Sequence, residues 1–155
     1  MSNQISPATI VRLAREDDLS AVLRLWREVH VTPPGITDSK AGLTRLIGTP
    51  NALLLVATVS GRIVGSVIGG WDGWRGNIYR LAVTSAYRRR GIARQLVEEV
   101  SAALFKSGAV RLSALVEGEH AWATGFWDSL SSVGYEHDPK FVRYIRDRDR
   151  SGSVR

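Results

Sequence analysis

Residues 79–99, YRLAVTSAYRRRGIARQLVEE, carry a short apolar run into three consecutive arginines, a Gly-Ile-Ala turn and a segment whose apolar residues recur at helical spacing. Leu81, Ala82 and Val83 read as a strand, while Ile92, Leu96, Val97, Val100 and Leu104 fall on one face of a helix. The amides of a helix's first turn have no partner in their own helix, and the aligned peptide dipoles favour negative charge there. Gly91 can take φ > 0 and lets a ligand lie against bare backbone, and Ala93 is small enough for close approach. A strand that feeds such a turn is a cradle for an anion, phosphate above all. Three arginines before a helix more often make a plain solvated turn, and only the spacing around them points beyond it.

That spacing, Arg88-x-x-Gly91-x-Ala93 with Leu81-Ala82-Val83 ahead of it and an apolar-faced helix behind, resembles the acyl-CoA binding signature Q/R-x-x-G-x-G/A of the GNAT N-acetyltransferases. The run VIGGWDGWRG at residues 67–76 is similar to the small YpeA-type bacterial branch of that family. The resemblance implies an α+β fold with one mixed sheet, splayed between its fourth and fifth strands, and helices on both faces. It implies acetyl-CoA as cosubstrate and no metal. Leu81, Ala82 and Val83 would pair by backbone with pantetheine, a false strand on an open edge. The amides of Arg89, Arg90, Gly91, Ile92, Ala93 and Arg94 would hold the pyrophosphate, with Arg88 or Arg90 on the ribose phosphate. The implied chemistry is direct transfer from the thioester to a primary amine of a small molecule or protein, with the N–H of Val83 facing the developing oxyanion. The competing reading is a regulatory protein that binds acyl-CoA without turning it over.

The chain departs from its relatives where they carry an asparagine and, seven positions on, a tyrosine that protonates the leaving thiolate. The matching positions here are His120 and Trp127. An indole N–H is too weak an acid for that task. Tyr135 and Tyr144 are the alternative acids, and His120, with Trp127, either meets the pantetheine arm or is simply a solvated helix cap. Base candidates are Glu117 and Glu119, Asp72 and His30. The loop at residues 69–76 sets Asp72 between Trp71 and Trp74, a combination that could attract an ammonium and offer it a cation–π face. A hairpin loop packed by its own aromatics is the plainer alternative. By family analogy Trp26, His30 and Asp38 would form the opposite wall of an acceptor pocket.

Composition bounds what remains. A chain of 155 residues suits a single domain with a self-sufficient core. Residues 1–8 read as an N-terminal extension, 9–146 as the acetyltransferase domain, and 147–155, with alternating charge and no apolar anchor, as a disordered tail. The absence of cysteine removes disulfides, thiolate metal sites and any acyl-cysteine intermediate on this chain. No charged-then-apolar leader opens the sequence and no apolar run approaches membrane-spanning length, so a cytoplasmic protein with no membrane partner is expected. A net charge of +6 suits a polyanionic ligand, either coenzyme A or nucleic acid. Scattered arginines without an accompanying row of aromatics argue against nucleic acid. Oligomeric state stays open, a homodimer included.

Periodicity predicts a strand at 10–13, a helix capped by Asp17 or Asp18 through Val29, and a second helix from Thr37 or Asp38 to Ile47. Hairpin strands at 52–59 and 62–69, a strand at 77–83 and the long helix follow, then a strand at 110–116 and a helix at 121–130. A closing pair of strands is expected at 135–137 and 141–146 around Asp138-Pro139.

Overall fold

The computed structural model describes residues 6–29 and 35–148. The chain divides into two compact units, Met1–Leu115 and Val116–Arg155. The first holds a five-stranded sheet in the order β1 to β5. Its strands are β1 (Thr9–Leu13), β2 (Ala52–Val59), β3 (Arg62–Trp71), β4 (Gly76–Val83) and β5 (Leu112–Ala114). The first four pair antiparallel in sequence order, and β5 joins β4 in parallel. The parallel step requires a crossover, which is α3 (Ile92–Ser107). Helices α1 (Leu19–Val29) and α2 (Lys40–Ile47) are inserted between β1 and β2.

The two faces of the sheet are built by different residues of β3. Gly65 and Gly69 let α3 approach closely: a Cβ at Gly65 would lie 3.0 Å from Leu96 Cδ1, and one at Gly69 would lie 3.3 Å from Leu104 Cδ1. The apolar face of α3 read from the sequence, Ile92, Leu96, Val97, Val100 and Leu104, is wholly buried. On the other face Leu19, Val22, Leu25 and Trp26 of α1 and Leu43 of α2 form one core cluster with Leu54, Val56 and Ala82. Within it the Trp26 indole Nε1–H donates to Ser66 Oγ at 2.9 Å, which satisfies a buried donor.

Four expectations are corrected, the first being that β5 covers only Leu112–Ala114 of the expected 110–116. A 3-10 turn, Glu16–Asp18, precedes α1, and the Asp18 carboxylate accepts the Arg15 N–H and the fork of Arg12 at 2.6 and 3.0 Å. The cap of α2 is Ser39, whose Oγ accepts the Gly42 N–H. Asp38 is unavailable for capping because its carboxylate takes the Gly35 N–H and the Arg80 guanidinium. The closing pair of strands is not formed among the described residues. Residues 141–148 have no regular structure, and Phe141, Val142, Tyr144 and Ile145 are 71–92% exposed, with no strand opposed to them. Pro139 removes one ladder donor at the turn, and a strand-type composition without a partner ladder does not make a strand. The second unit contains α4 (Ala121–Asp128) and a 3-10 turn, Ser129–Val133. No helix among the described residues is long and apolar enough to cross a membrane.

Candidate active site

Strand β4 has two different edges along its length. Gly76, Asn77 and Ile78 oppose Leu112, Ser113 and Ala114 of β5, and the last link is the Leu115 N–H to the Ile78 carbonyl at 3.4 Å. Beyond Ile78 the strand continues to Val83 with β3 on one side and, among the described residues, no paired strand on the other. The two parallel strands therefore part at Tyr79, and residues 79–83 form an open edge.

The orientation of the amides on that edge follows from one hydrogen bond. The Thr84 N–H donates to the Val64 carbonyl at 2.9 Å, toward β3. Successive amides of an extended strand point to opposite edges, so the N–H of Val83 faces the opening, that of Ala82 faces β3, and that of Leu81 faces the opening again. Opposite β3 the register changes: Ser66 pairs with Ala82 but Ile68 pairs with Tyr79, so two steps on β3 match three on β4. The extra residue is a bulge, and Arg80 within it has φ of 52°.

From Val83 the chain passes through a 3-10 turn, Ser85–Tyr87, and the arginine run to Gly91, the N-cap of α3. Arg89 (φ 59°) and Gly91 (φ 78°) are both left-handed, which curls the loop so that α3 starts immediately beyond it. Gly91 has no side chain to cap the helix, and a Cβ built there meets no atom within 4 Å. The first-turn amides beginning at Ile92 and Ala93 have no partner within their own helix, which makes this helix start a candidate cradle for an anion. Arg88, Arg89 and Arg90 are exposed on this loop, with the Arg90 guanidinium 4.8 Å from the Tyr87 ring centroid. Arg94 forms an ion pair with Glu98 at 3.0 Å along the helix.

The profile of the Acetyltransferase (GNAT) family matches residues 19–131, a span that contains the parted strands, the cradle and α4. The chain belongs to the GNAT acetyltransferase family. An acetyltransferase of Pectobacterium atrosepticum is 33% identical over 139 residues, 90% of this chain and 98% of that protein. Among solved structures, aminoglycoside N-acetyltransferase AAC(6')-Iy in complex with CoA superposes with a TM-score of 0.75 at 14% identity, covering 92% of this chain and 97% of that one. The PaiA N-acetyltransferase of Thermoplasma acidophilum, also with coenzyme A, gives 0.70 at 16% identity, covering 79% and 87%. At these identities the shared property is the GNAT fold.

Against this GNAT frame the remaining sequence-predicted residues fall into separate places. Trp26 is 8% exposed, its Nε1–H taken by Ser66 and its ring covered by the Arg80 guanidinium. His30 lies outside the described residues. Asp72 and Trp74 stand in the loop between β3 and β4, and the eight residues of β4 at about 3.3 Å each put them roughly 20 Å or more from Val83. Asp72 is engaged in its own turn. Its carboxylate accepts the Trp74 and Arg75 N–H groups at 2.9 and 2.8 Å. These bonds, that of Arg75 first, hold its carboxyl below the ordinary aspartate range. The Arg75 guanidinium covers one face of Trp74 at 4.6 Å.

In the second unit His120 is the N-cap of α4, and its Nε2 lies 3.2 Å from Glu117 Oε2. Trp127 meets Tyr135 edge-on at 5.2 Å between ring centroids. Tyr144 is 92% exposed. The residue that sequence reading missed is Arg80. An arginine inside an apolar strand gives no sign that it occupies a left-handed bulge, because that conformation is ordinarily signalled by Gly or Asn.

Proposed function

We propose that the protein transfers an acetyl group from acetyl-CoA directly to a primary amine of a small molecule or protein. The observation that carries this reading is the open edge of β4 at residues 79–83, which runs into the left-handed loop and the uncapped start of α3. Pantetheine amides would pair with that edge through Leu81 and Val83, and the diphosphate would sit on the amides between Arg89 and Arg94, with Arg88 or Arg90 on the ribose phosphate. Charge-assisted bonds of this kind contribute about 1.5–3 kcal/mol each, enough together for micromolar binding.

Acetyl-CoA supplies an activated thioester carbonyl. The protein's part is to place it beside the amine, stabilise the oxygen that gains charge, and manage two protons. The outward N–H of Val83 is the proposed oxyanion donor. A single donor of this type contributes roughly a hundredfold to a thousandfold in rate. An amine with pKa near 10.4 is about 0.04% neutral at pH 7, so a base is needed, and Glu117 is assigned that role with its carboxylate steadied by His120. Tyr135 is assigned protonation of the thiolate, since Trp127 has no acidic proton to give. The acceptor side takes its walls from the α1 and α2 side of the sheet, and Asp72 and Trp74, tied up in their own turn, contribute to it least.

The test is calorimetry with CoA followed by thiol release from acetyl-CoA across a panel of amines. Micromolar CoA binding with amine-dependent thiol release upholds the reading. Binding that raises the melting temperature without release by any amine favours the regulatory acyl-CoA-binding protein.

A further inference from the structure

We infer that Asp38 and Arg80 are positioning residues: their ion pair holds the β4 bulge in its left-handed form and so aims the outward amides of Leu81 and Val83. This inference rests on the acetyl-transfer reading above. The bulge lies where β4 has lost β5 and where the edge must be presented to a ligand. It is centred on an arginine with φ of 52°, a conformation in which Cβ crowds the backbone and which side chains other than Gly, Asn and Asp seldom adopt. Nothing local to Arg80 favours that geometry, so the surroundings must impose it.

The surroundings form a chain of contacts through the first unit. Ser66 of β3 accepts the Trp26 indole N–H at 2.9 Å and fixes that ring in the core. The Arg80 guanidinium lies over the ring at 5.3 Å and donates from Nη2 to Asp38 Oδ2. The same oxygen accepts the Gly35 N–H at 2.8 Å. The Arg80 and Asp38 side chains are only 20% and 11% exposed, so the pair is shielded from solvent far better than a surface pair. The Arg80 side chain thus reaches to the α1 and α2 face, and its backbone stays in the strand. Releasing the guanidinium would let residue 80 relax to an extended φ. That change removes the extra residue from the bulge or shifts the register, and either one turns the amides of residues 81–83 toward the wrong edge.

Glycine at position 80 separates this role from simple structural support, because Gly loses the ion pair and the ring contact yet adopts φ > 0 without steric cost. Arg80→Ala and Asp38→Asn are expected to lower kcat by roughly tenfold to a hundredfold, the scale for a misplaced catalytic group, and to raise KM for acetyl-CoA as pantetheine loses the amides of Leu81 and Val83. Arg80→Gly should recover at least about tenfold of the kcat lost in Arg80→Ala, and Asp38→Asn added to Arg80→Gly should cost nothing further, as expected when one interaction has already been removed. Equal loss in the Ala and Gly variants, or an additive loss in the double variant, overturns the inference. Amide hydrogen exchange and 15N shifts of residues 81–83 give a readout free of turnover. They should move in Arg80→Ala and Asp38→Asn and return toward wild type in Arg80→Gly. Should wild type transfer acetyl to no amine, the functional reading falls while the amide measurements still decide the role of the pair.

Discussion

Gly91 is where backbone conformation and ligand chemistry meet most directly. Its φ of 78° makes any side chain there strained, while the clear space above it makes any side chain there sterically harmless to the fold. These two properties can be pulled apart by two substitutions. Gly91→Ala should cost about 1 kcal/mol of stability through φ alone and lower the melting temperature by roughly 3 °C, with CoA still bound. Gly91→Glu should show a similar thermal shift but put a carboxylate where the diphosphate belongs. Like charges at that distance cost several kcal/mol, so calorimetric affinity for CoA should fall by more than about a hundredfold. A Glu variant that binds CoA as wild type does would remove the phosphate from this cradle and with it the proposed reaction.

At the scale of elements, the entry to α1 depends on one carboxylate. Asp18 is held below the ordinary aspartate range, chiefly by the Arg12 guanidinium and further by the Arg15 N–H, with burial opposing both. The folded chain therefore takes up this proton less readily than the unfolded chain. The stabilisation is fully present above the unfolded value near 4 and disappears as pH falls through it toward the depressed folded value. Asp18→Asn should lower stability by about 1.5–3 kcal/mol at neutral pH, and thermal melts taken from about pH 7 to about pH 3 should show wild type and variant converging at the acid end. A constant gap across that range would place the loss in packing instead of charge. Elements such as β2 were legible from sequence to the residue, because an apolar run is bounded by Pro50-Asn51 and Ser60-Gly61, and the chain turns there at left-handed Asn51, Ser60 and Gly61. The face of α3 was equally legible, since burial of a 3.6-residue stripe needs no long-range information. What escaped was set by tertiary partners. Asp38 looks like a helix cap until Arg80 claims it, and β5 looks seven residues long until its ladder with β4 ends at Ala114. The candidate site divides the same way. The cradle is written in local glycine and helix signals, whereas the Arg80–Asp38 pair at the bulge and the Trp26–Ser66 bond join residues 42 and 40 apart in the chain.

For the whole molecule, the net charge of +6 acts on every ligand at once. A diphosphate-bearing cosubstrate is drawn toward a cationic protein, and an amine carrying several positive charges is repelled by it. Aminoglycosides are amines of the second kind, so a fold shared with AAC(6')-Iy at 14% identity is no reason to expect the same acceptor. The two encounters should respond to salt with opposite signs. Raising ionic strength from about 0.05 M to about 0.5 M shortens the screening length from about 14 Å to about 4 Å. Affinity for CoA should fall over that range while pantetheine, which lacks the phosphates, binds with little change. In the same titration kcat/KM for a polyamine should rise, after correction for acetyl-CoA saturation, and kcat/KM for a singly charged amine should stay nearly flat. A polyamine whose kcat/KM falls with salt would mean that local acidic groups dominate the acceptor pocket over the field of the whole chain. The acceptor would then have to be sought among polycations.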